Sequence, residues 1–235
     1  MSKLSFISAA DLAAALASMP EADDAAASLA RARQEQLTKP VGSLGRLEEL
    51  AIWMASWQGQ EKPQLENPAC LVFAGNHGVA ARGVSAYPPE VTFQMVMNFE
   101  AGGAAINQLT NLADATLKVT ALDLDTPTQD FTQTAAMTEA ECCAALQAGA
   151  DAVPDNADMV LVGEMGIGNT SSAAAIISII TGISPTHAVG RGSGVDDAGL
   201  EHKIEVIEKA LQFHTINGSN GFEILQKVGG FKTAY

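Results

Sequence analysis

Glycines, an asparagine and one carboxylate are concentrated in GEMGIGNTSS, residues 163–172, directly after the apolar run ADMVLV. Glycines in a loop that leads into a helix let backbone N–H groups approach an anion, and the helix dipole favours the negative charge. Glu164 lies at the mouth of this loop, where a carboxylate would repel a phosphate. The segment thus combines an anion-binding pattern with a side chain suited to other chemistry.

Two further loops carry polar or glycine-rich sequences. Asn76 and His77 directly follow the apolar run ACLVFAG, and Gly190, Gly192 and Gly194 precede a predicted helix in VGRGSGVDDAGLEHK. Because the carboxyl ends of parallel strands meet at one edge of a sheet, we expect these loops to share a crevice. For Asn76 and His77 alone, a polar turn that bonds its own backbone is the competing interpretation. Together the loops favour a ribose-phosphate or nucleotide site.

Common nucleotide fingerprints and catalytic motifs fit these loops poorly. Ser171 occupies the position of the third glycine or alanine of a dinucleotide loop, and GRGSGVDD lacks the Gly-Lys-Ser/Thr ending of a Walker loop. The four histidines show no His-x-x-x-His pairing, and no Gly-x-Ser-x-Gly nucleophile elbow occurs. A nucleotide-dependent dehydrogenase is therefore a weak alternative, and no metal site or serine nucleophile is expected.

Lys203 is the candidate cation for a bound phosphate. It follows Gly194 by more than one helical turn and stands between Glu201 and Glu205 in the sequence. A lysine there either reaches the phosphate or lies on a solvated helix face beside these acids. The local sequence favours the solvated position.

The composition limits the classes of function. The chain of 235 residues carries 13 Lys and Arg against 27 Asp and Glu, a formal net charge of −14. Such a surface repels nucleic acids and anionic membranes, so neither is an expected partner. The three cysteines lack metal-ligand spacing, no apolar run reaches the roughly 18 residues of a membrane helix, and the N-terminus lacks a cleavable signal pattern. We expect a cytoplasmic protein with reduced thiols.

Strand and helix patterns alternate after an N-terminal helical region. Two alanine-rich helices are predicted over 9–36, broken at Met19-Pro20, and a third over 44–57 with one apolar face. Buried-strand patterns occur in ACLVFAG, TLKVTALDL, ADMVLVGE and THAVGR. Helices are predicted over 90–110, 138–150, 168–181, 197–214 and 219–228.

This alternation predicts an α/β fold, with a doubly wound, mainly parallel Rossmann-like sheet flanked by helices. The predicted helices before the first strand form a small N-terminal helical layer over residues 1–62. Residues 63–235 are predicted to form the α/β nucleotide-binding domain.

Five motifs occur in one order between Leu37 and Phe231: KPVGSLGRLEELA, FAGNHGV, GVSAYPPEVT, GEMGIGNTSSAAA and GRGSGVDDAGLEHKIEV. On these motifs the chain resembles the nicotinate-nucleotide–dimethylbenzimidazole phosphoribosyltransferases of cobalamin biosynthesis. The resemblance implies transfer of phosphoribose from nicotinate mononucleotide to 5,6-dimethylbenzimidazole, which gives nicotinate and α-ribazole 5′-phosphate with inversion at the anomeric carbon. It implies a homodimer, and no cofactor, because the pyridinium of the donor is already a good leaving group.

The resemblance also implies roles for particular residues. Glu164 is the acid beside the reacting base, in the family's Gly-Glu-x-Gly motif. The implied nucleotide contacts are the turn and helix start after Glu164, the second glycine loop around the phosphate, and a lysine from either subunit: Gly166, Gly168, Asn169, Thr170, Gly190, Gly192, Gly194 and Lys203. The benzimidazole pocket is implied to include Ser85, Tyr87, Pro88 and Gln94.

The first motif supplies Asn76 and His77 as further implied substrate contacts. Asn76 stands where many family members have aspartate. Its amide can still form hydrogen bonds, but it does not carry the negative charge of an aspartate. Any electrostatic role at this position is therefore lost in this chain.

The sequence departs from the family pattern in its C-terminal part. The resemblance assigns the general base to a glutamate in an RLGEGSG-like stretch, and these 235 residues contain no such stretch. We therefore expect a C-terminally truncated chain of low activity, with an open sheet edge, an uncovered apolar face and a tendency to self-associate. The alternative is a noncatalytic nucleotide- or base-binding fragment, or a subunit that pairs with a complete partner.

Overall fold

The structure is a computed structural model that describes residues 5–216 and 220–231. Its elements follow in the order α1 (Ala9–Ala17), α2 (Asp24–Gln36), α3 (Arg46–Gln58), β1 (Pro68–Ala74), α4 (Glu90–Glu100), α5 (Ala105–Leu112), β2 (Thr116–Ala121), α6 (Glu139–Ala152), β3 (Met159–Met165), α7 (Asn169–Thr181), α8 (Pro185–Ala188), α9 (Asp197–Phe213) and α10 (Gly221–Val228). Among the described residues, no helix is long and apolar enough to cross a membrane.

Three parallel strands form the sheet in the order β2-β1-β3. The central strand β1 is buried at all seven positions, as its continuous apolar sequence predicts. Ala74 of β1 lies opposite Ala121 of β2 and Met165 of β3. The three strands therefore end at one level, and the loops that follow them leave from the same edge. The predicted parallel sheet flanked by helices is confirmed.

The predicted strand in THAVGR is wrong. Pro185–Ala188 form the short helix α8, and Val189 already has extended backbone outside it. Proline suits the first position of a helix because its φ is fixed near the helical value. The Ser184 hydroxyl also lies 2.8 Å from His187 Nδ1, which closes the turn. Too little of the apolar run remains to form a strand.

The predicted helix over 90–110 is divided into α4 and α5. Gly102 adopts a φ of +75°, a left-handed conformation that interrupts the helix. The Ala104 N–H then donates to Asn107 Oδ1 at 3.1 Å, which caps the start of α5. The two adjacent glycines of the sequence were the signal for this break.

Helices α2 and α3 pack against each other. The Asp23 N–H donates to the Ser56 carbonyl at 2.8 Å, and the buried residues Ala26, Ala30 and Ala55 allow close approach. The predicted apolar face of α3 lies largely outside this contact, since the Leu47 and Trp57 side chains are exposed. Helix α1 contacts another region, because the Ala9 N–H donates to Glu139 Oε1 on α6.

The main apolar core lies among α7, α9 and α10. Ile207 of α9 and Ile224 of α10 are almost completely buried there, together with Phe131 and Met137 from the segment before α6. Coverage is thinner at β3, which forms one edge of the sheet, and Val162 is 73% exposed there. The best-packed side of the molecule is therefore the one that supports the start of α7 and the loop before α9.

Candidate functional site

Lys203 lies at the junction of the two glycine-rich loops. Its ammonium donates to Thr170 Oγ1 at 2.6 Å and to the Gly190 carbonyl at 3.2 Å. Only 1% of Lys203 is exposed, and this burial lowers the pKa of the ammonium from its ordinary value. The solvated position beside Glu201 and Glu205 is therefore wrong. Lys203 therefore contacts the glycine-rich loops of the same subunit.

Gly192 allows the second loop to approach this lysine closely. Its φ is +53°, and a Cβ there would lie 2.8 Å from Thr170 Oγ1 and 2.9 Å from Lys203 Nζ. Arg191 holds the same loop, since its guanidinium donates to the Val195 carbonyl at 3.1 Å. A buried cation, a hydroxyl and a glycine backbone thus converge, and cations and backbone at helix starts are favoured partners of phosphate.

Glu164, near the end of β3, lies close to the start of α7. Glu164 lies opposite Phe73 in the sheet, and the Asn169 side-chain amide donates to Glu164 Oε1. Gly168 makes the turn with a φ of +93°, and a Cβ there would lie 3.2 Å from His77 Cβ. The exposed carboxylate therefore lies on the strand side of the loop, while Thr170, one residue after Asn169, meets Lys203.

A cavity of about 600 Å³ opens beside the loop after β1. Its wall is formed by Asn76, His77, Gly78, Ala80, Ala81, Pro89, Glu90, Phe93, Gln94, Leu124, Asp125 and Pro127. Asn76 Nδ2 donates to the Leu124 carbonyl at 2.8 Å. This bond fixes the amide and leaves Asn76 Oδ1 buried without a hydrogen-bond partner among the described residues. A mostly apolar wall that also carries hydrogen-bond acceptors suits a flat aromatic ligand with a donor group.

His77 connects three segments around this cavity. It is buried, and its Nδ1 lies 3.1 Å from the Ser172 hydroxyl. Ser172 in turn donates to the Gly229 carbonyl at 3.3 Å, so the His77 Nδ1 is assigned as the donor to Ser172. A Cβ on Gly230 would lie 2.1 Å from His77 Cε1, so only glycine permits this approach. The contacts tie the loop after β1 to α7 and to the residues after α10.

The residues implied for the benzimidazole pocket are divided between two places. Gln94 lines the cavity, whereas Ser85 Oγ lies 2.9 Å from Ser193 Oγ in the second glycine loop. Tyr87 is next to this contact, since its N–H donates to Ser85 Oγ at 3.2 Å. Tyr87 and Pro88 are both exposed. The 83–89 loop therefore runs from the second glycine loop to the wall of the cavity.

Sequence reasoning missed Thr92, which joins α4 to the loop after β3. Thr92 is completely buried, and its Oγ1 accepts a hydrogen bond from the Ile167 N–H at 3.1 Å. A threonine within the apolar pattern of α4 was the available signal, since a buried hydroxyl needs a partner. Thr92 fixes the loop between Glu164 and Asn169.

Comparisons with known proteins agree on one family. Residues 19–235 match a family model described as Phosphoribosyltransferase. A nicotinate-nucleotide–dimethylbenzimidazole phosphoribosyltransferase from Cereibacter sphaeroides is 55% identical over 232 residues, which cover 99% of this chain and 69% of the relative. A relative of the same name from Ruegeria pomeroyi is 55% identical over 219 residues, covering 93% of this chain and 65% of the relative.

Solved structures give the same likeness. The crystal structure of a phosphoribosyltransferase of this name from Thermus thermophilus is 37% identical and aligns with a TM-score of 0.79. The alignment covers 90% of this chain and 68% of that chain. The chain thus spans about two thirds of the length of these relatives.

Proposed function

The chain belongs to the nicotinate-nucleotide–dimethylbenzimidazole phosphoribosyltransferase family, and on this premise we propose that it transfers phosphoribose from nicotinate mononucleotide to 5,6-dimethylbenzimidazole. A ring nitrogen of the base attacks the anomeric carbon of the donor as the bond to nicotinate breaks. The proton on the other ring nitrogen of the base then passes to solvent, which leaves α-ribazole 5′-phosphate and free nicotinate.

The observation that carries this proposal is the buried ammonium of Lys203 beside Thr170 and Gly192. Burying a cation without a counter-ion is unfavourable, and a phosphate dianion would offset that cost through charge-assisted hydrogen bonds. The 5′-phosphate of the donor is the group of this reaction that supplies such a charge. We therefore assign the phosphate to this cradle.

Glu164 is proposed to act on the acceptor base. The attacking benzimidazole gains positive charge as its nitrogen forms the new bond, and a nearby carboxylate stabilises that charge. Glu164 lies at the end of β3 and bonds the Asn169 amide, whereas the next residue, Thr170, bonds Lys203. One loop can therefore hold the phosphate near Thr170 and stabilise the positive charge on the base near Glu164.

The cavity beside Asn76 is proposed to hold the base. Phe93, Leu124 and Pro127 give it apolar walls, and about 600 Å³ is ample for a substituted benzimidazole. The unused Asn76 Oδ1 would accept a hydrogen bond from an N–H group of the ligand. These features support an aromatic heterocycle rather than a sugar or a peptide as the acceptor.

The test is a coupled product assay on the 235-residue polypeptide with both substrates. The proposal expects nicotinate and α-ribazole 5′-phosphate in equal amounts, measured by chromatography. Nicotinate release without the ribazole product, or binding of both substrates without any turnover, would contradict transfer.

We also propose that the chain forms a homodimer. Leu47, Leu50 and Trp57 of α3 present an exposed apolar surface, and such surfaces commonly mark protein–protein contacts. Sedimentation equilibrium tests this directly: a mass near 24.3 kDa at all concentrations would contradict it, and a concentration-dependent doubling would support it.

A further inference from the structure

Ser193 projects from the second glycine loop toward the loop after β1. It lies between Gly192 and Gly194, which adopt φ values of +53° and +99°. The Ser193 hydroxyl lies 2.9 Å from Ser85 Oγ and accepts a hydrogen bond from the Ala86 N–H at 3.2 Å. One side chain therefore connects two loops that are more than 100 residues apart in the sequence.

The two loops that Ser193 connects have different proposed ligands. Gly192, next to Ser193, borders Thr170 and Lys203 in the phosphate cradle. On the other side, Ser85 Oγ accepts from the Tyr87 N–H, and the chain reaches Pro89 in the cavity wall only two residues later. Two hydrogen bonds, at Ser85–Ser193 and Tyr87–Ser85, thus connect the phosphate cradle to the cavity for the base through short stretches of chain.

Helix α9 forms a second connection between the same loops. His202 Nε2 lies 2.6 Å from the Arg82 carbonyl, to which it donates, and the next residue is Lys203 of the phosphate cradle. Consecutive helical residues point about 100° apart, so one helix reaches both loops. Helix α9 therefore holds the two loops at Arg82 and Gly190, whereas Ser193 connects them at Ser85 and Ala86.

We infer that Ser193 is a positioning residue that couples phosphate binding to binding of the acceptor base. The inference rests on the proposed function, since it uses the two ligand assignments made there. A phosphate held by Lys203 and the backbone at Gly192 restrains Ser193, which in turn restrains Ser85 and Ala86. The base then meets a loop that is already ordered, so its binding loses less conformational entropy. Thermodynamic linkage requires that the bound base strengthen phosphate binding by the same factor.

The test measures this coupling at equilibrium, without turnover. Ribose 5-phosphate carries the phosphate but has no nicotinate to lose, so it serves as the donor probe. The Kd of dimethylbenzimidazole is measured by calorimetry with and without saturating ribose 5-phosphate, in the 235-residue chain and in Ser193→Ala. Ribose 5-phosphate should tighten base binding to the unsubstituted chain, and Ser193→Ala should reduce that enhancement by about three- to tenfold, the worth of one hydrogen bond.

Two further variants separate positioning from general stability. Ser85→Ala removes the Ser85–Ser193 contact from the opposite loop and should also reduce the coupling, which keeps the test available if Ser193→Ala does not fold. Ser18→Ala is the matched control, because its exposed hydroxyl bonds the Ala15 carbonyl at the end of α1. The control should leave the coupling unchanged. The Kd of ribose 5-phosphate alone should change less than about twofold in Ser193→Ala.

The outcomes distinguish this inference from the proposed function. If both ligands bind and the coupling is the same in Ser193→Ala as in the unsubstituted chain, the positioning role is wrong and the proposed function stands. If the two ligands bind the unsubstituted chain independently, the positioning role is also wrong. If neither ligand binds, both the proposed function and the inference built on it fail.

Discussion

The Lys203 ammonium lies 2.6 Å from the Thr170 hydroxyl in a chain with a net charge of −14, yet within residues 5–216 and 220–231 it forms no ion pair. A buried cation of this kind destabilises the ligand-free protein, because desolvation is not repaid by a counter-ion. The same charge strengthens binding of an anion. Stability without ligand and affinity for the donor should therefore respond oppositely to its removal.

Lys203→Met should weaken binding of nicotinate mononucleotide by about 10–100-fold, since a hydrogen bond to a charged group is worth about 1.5–3 kcal/mol. The free energy of unfolding without ligand should stay the same or rise, because methionine fills a similar volume without a charge. Calorimetric titration gives the first quantity, and urea denaturation gives the second.

Lys209→Met is the matched control for this prediction. Lys209 lies on the same helix but is exposed, so its loss removes the same charge without touching the site. Nucleotide affinity should change less than about twofold in this control. Equal losses of affinity in both variants would show that net charge, and not the cradle, attracts the donor.

Gly192→Ala should reduce nucleotide affinity by about tenfold or more. An alanine Cβ would lie 2.8 Å from Thr170 Oγ1 and 2.9 Å from Lys203 Nζ, so the loop or the lysine must move. The left-handed φ adds a backbone cost of about 1 kcal/mol. Gly182→Ala carries a similar φ of +74° with nothing within 4 Å, so it reports the backbone cost alone. Similar nucleotide affinities in the two variants would contradict the assigned cradle.

The position of Lys203 could have been predicted from helical spacing. Lys203 stands three, four and seven residues before Val206, Ile207 and Ala210, which are buried on the inner face of α9. Its neighbours Glu201 and Glu205 are one turn apart and share the outer face. Proximity in sequence to two acids suggested an exposed lysine, but periodicity decides which side a residue occupies.

The parallel sheet followed from its apolar runs, but the contacts between loops did not. The Ser85–Ser193 bond depends on how two loops of the fold approach each other, and neither serine differs locally from an ordinary turn residue. The short helix α8 was missed because an apolar run of two or three residues does not distinguish strand from loop, while Pro185 and Ser184 favoured a helix start. Local sequence patterns therefore predict helices and strands, whereas the contacts between loops at the site depend on tertiary packing.

The free energy of unfolding should fall as the pH decreases below the ordinary His pKa of 6.5, partly because of His214. Burial lowers the pKa of His214 in the folded protein, although its bond to the Phe131 carbonyl opposes the shift. The unfolded chain therefore binds a proton before the folded chain does, so stability is full above 6.5 and is lost as the pH falls toward the folded pKa. Urea denaturation at about pH 7.5 and about pH 5.5 measures this loss.

His214→Gln should reduce the pH dependence, because glutamine can donate to the Phe131 carbonyl without titrating. His187→Gln is the matched control, because it makes the same substitution at an exposed position on α8. A His214→Gln variant that loses as much stability as the unsubstituted chain over this range would assign the loss to other groups.

Glu164→Gln should lower the turnover rate by about 100-fold or more while changing the affinity for nicotinate mononucleotide less than about threefold. Glutamine keeps an acceptor for the Asn169 amide, so the turn before α7 is preserved and only the charge is lost. A carboxylate that stabilises charge on the attacking base acts mainly in the transition state, so its removal lowers kcat rather than donor binding.

Single-turnover rates and donor Kd values separate the two roles of Glu164, with Glu208→Gln on the exposed face of α9 as the control for net charge. The control should retain both the rate and the affinity. If rate and donor affinity fell together in Glu164→Gln, the carboxylate would be a ground-state contact of the nucleotide. The glycine loop would then bind one ligand through both of its halves, and the acceptor base would need another group to stabilise its charge.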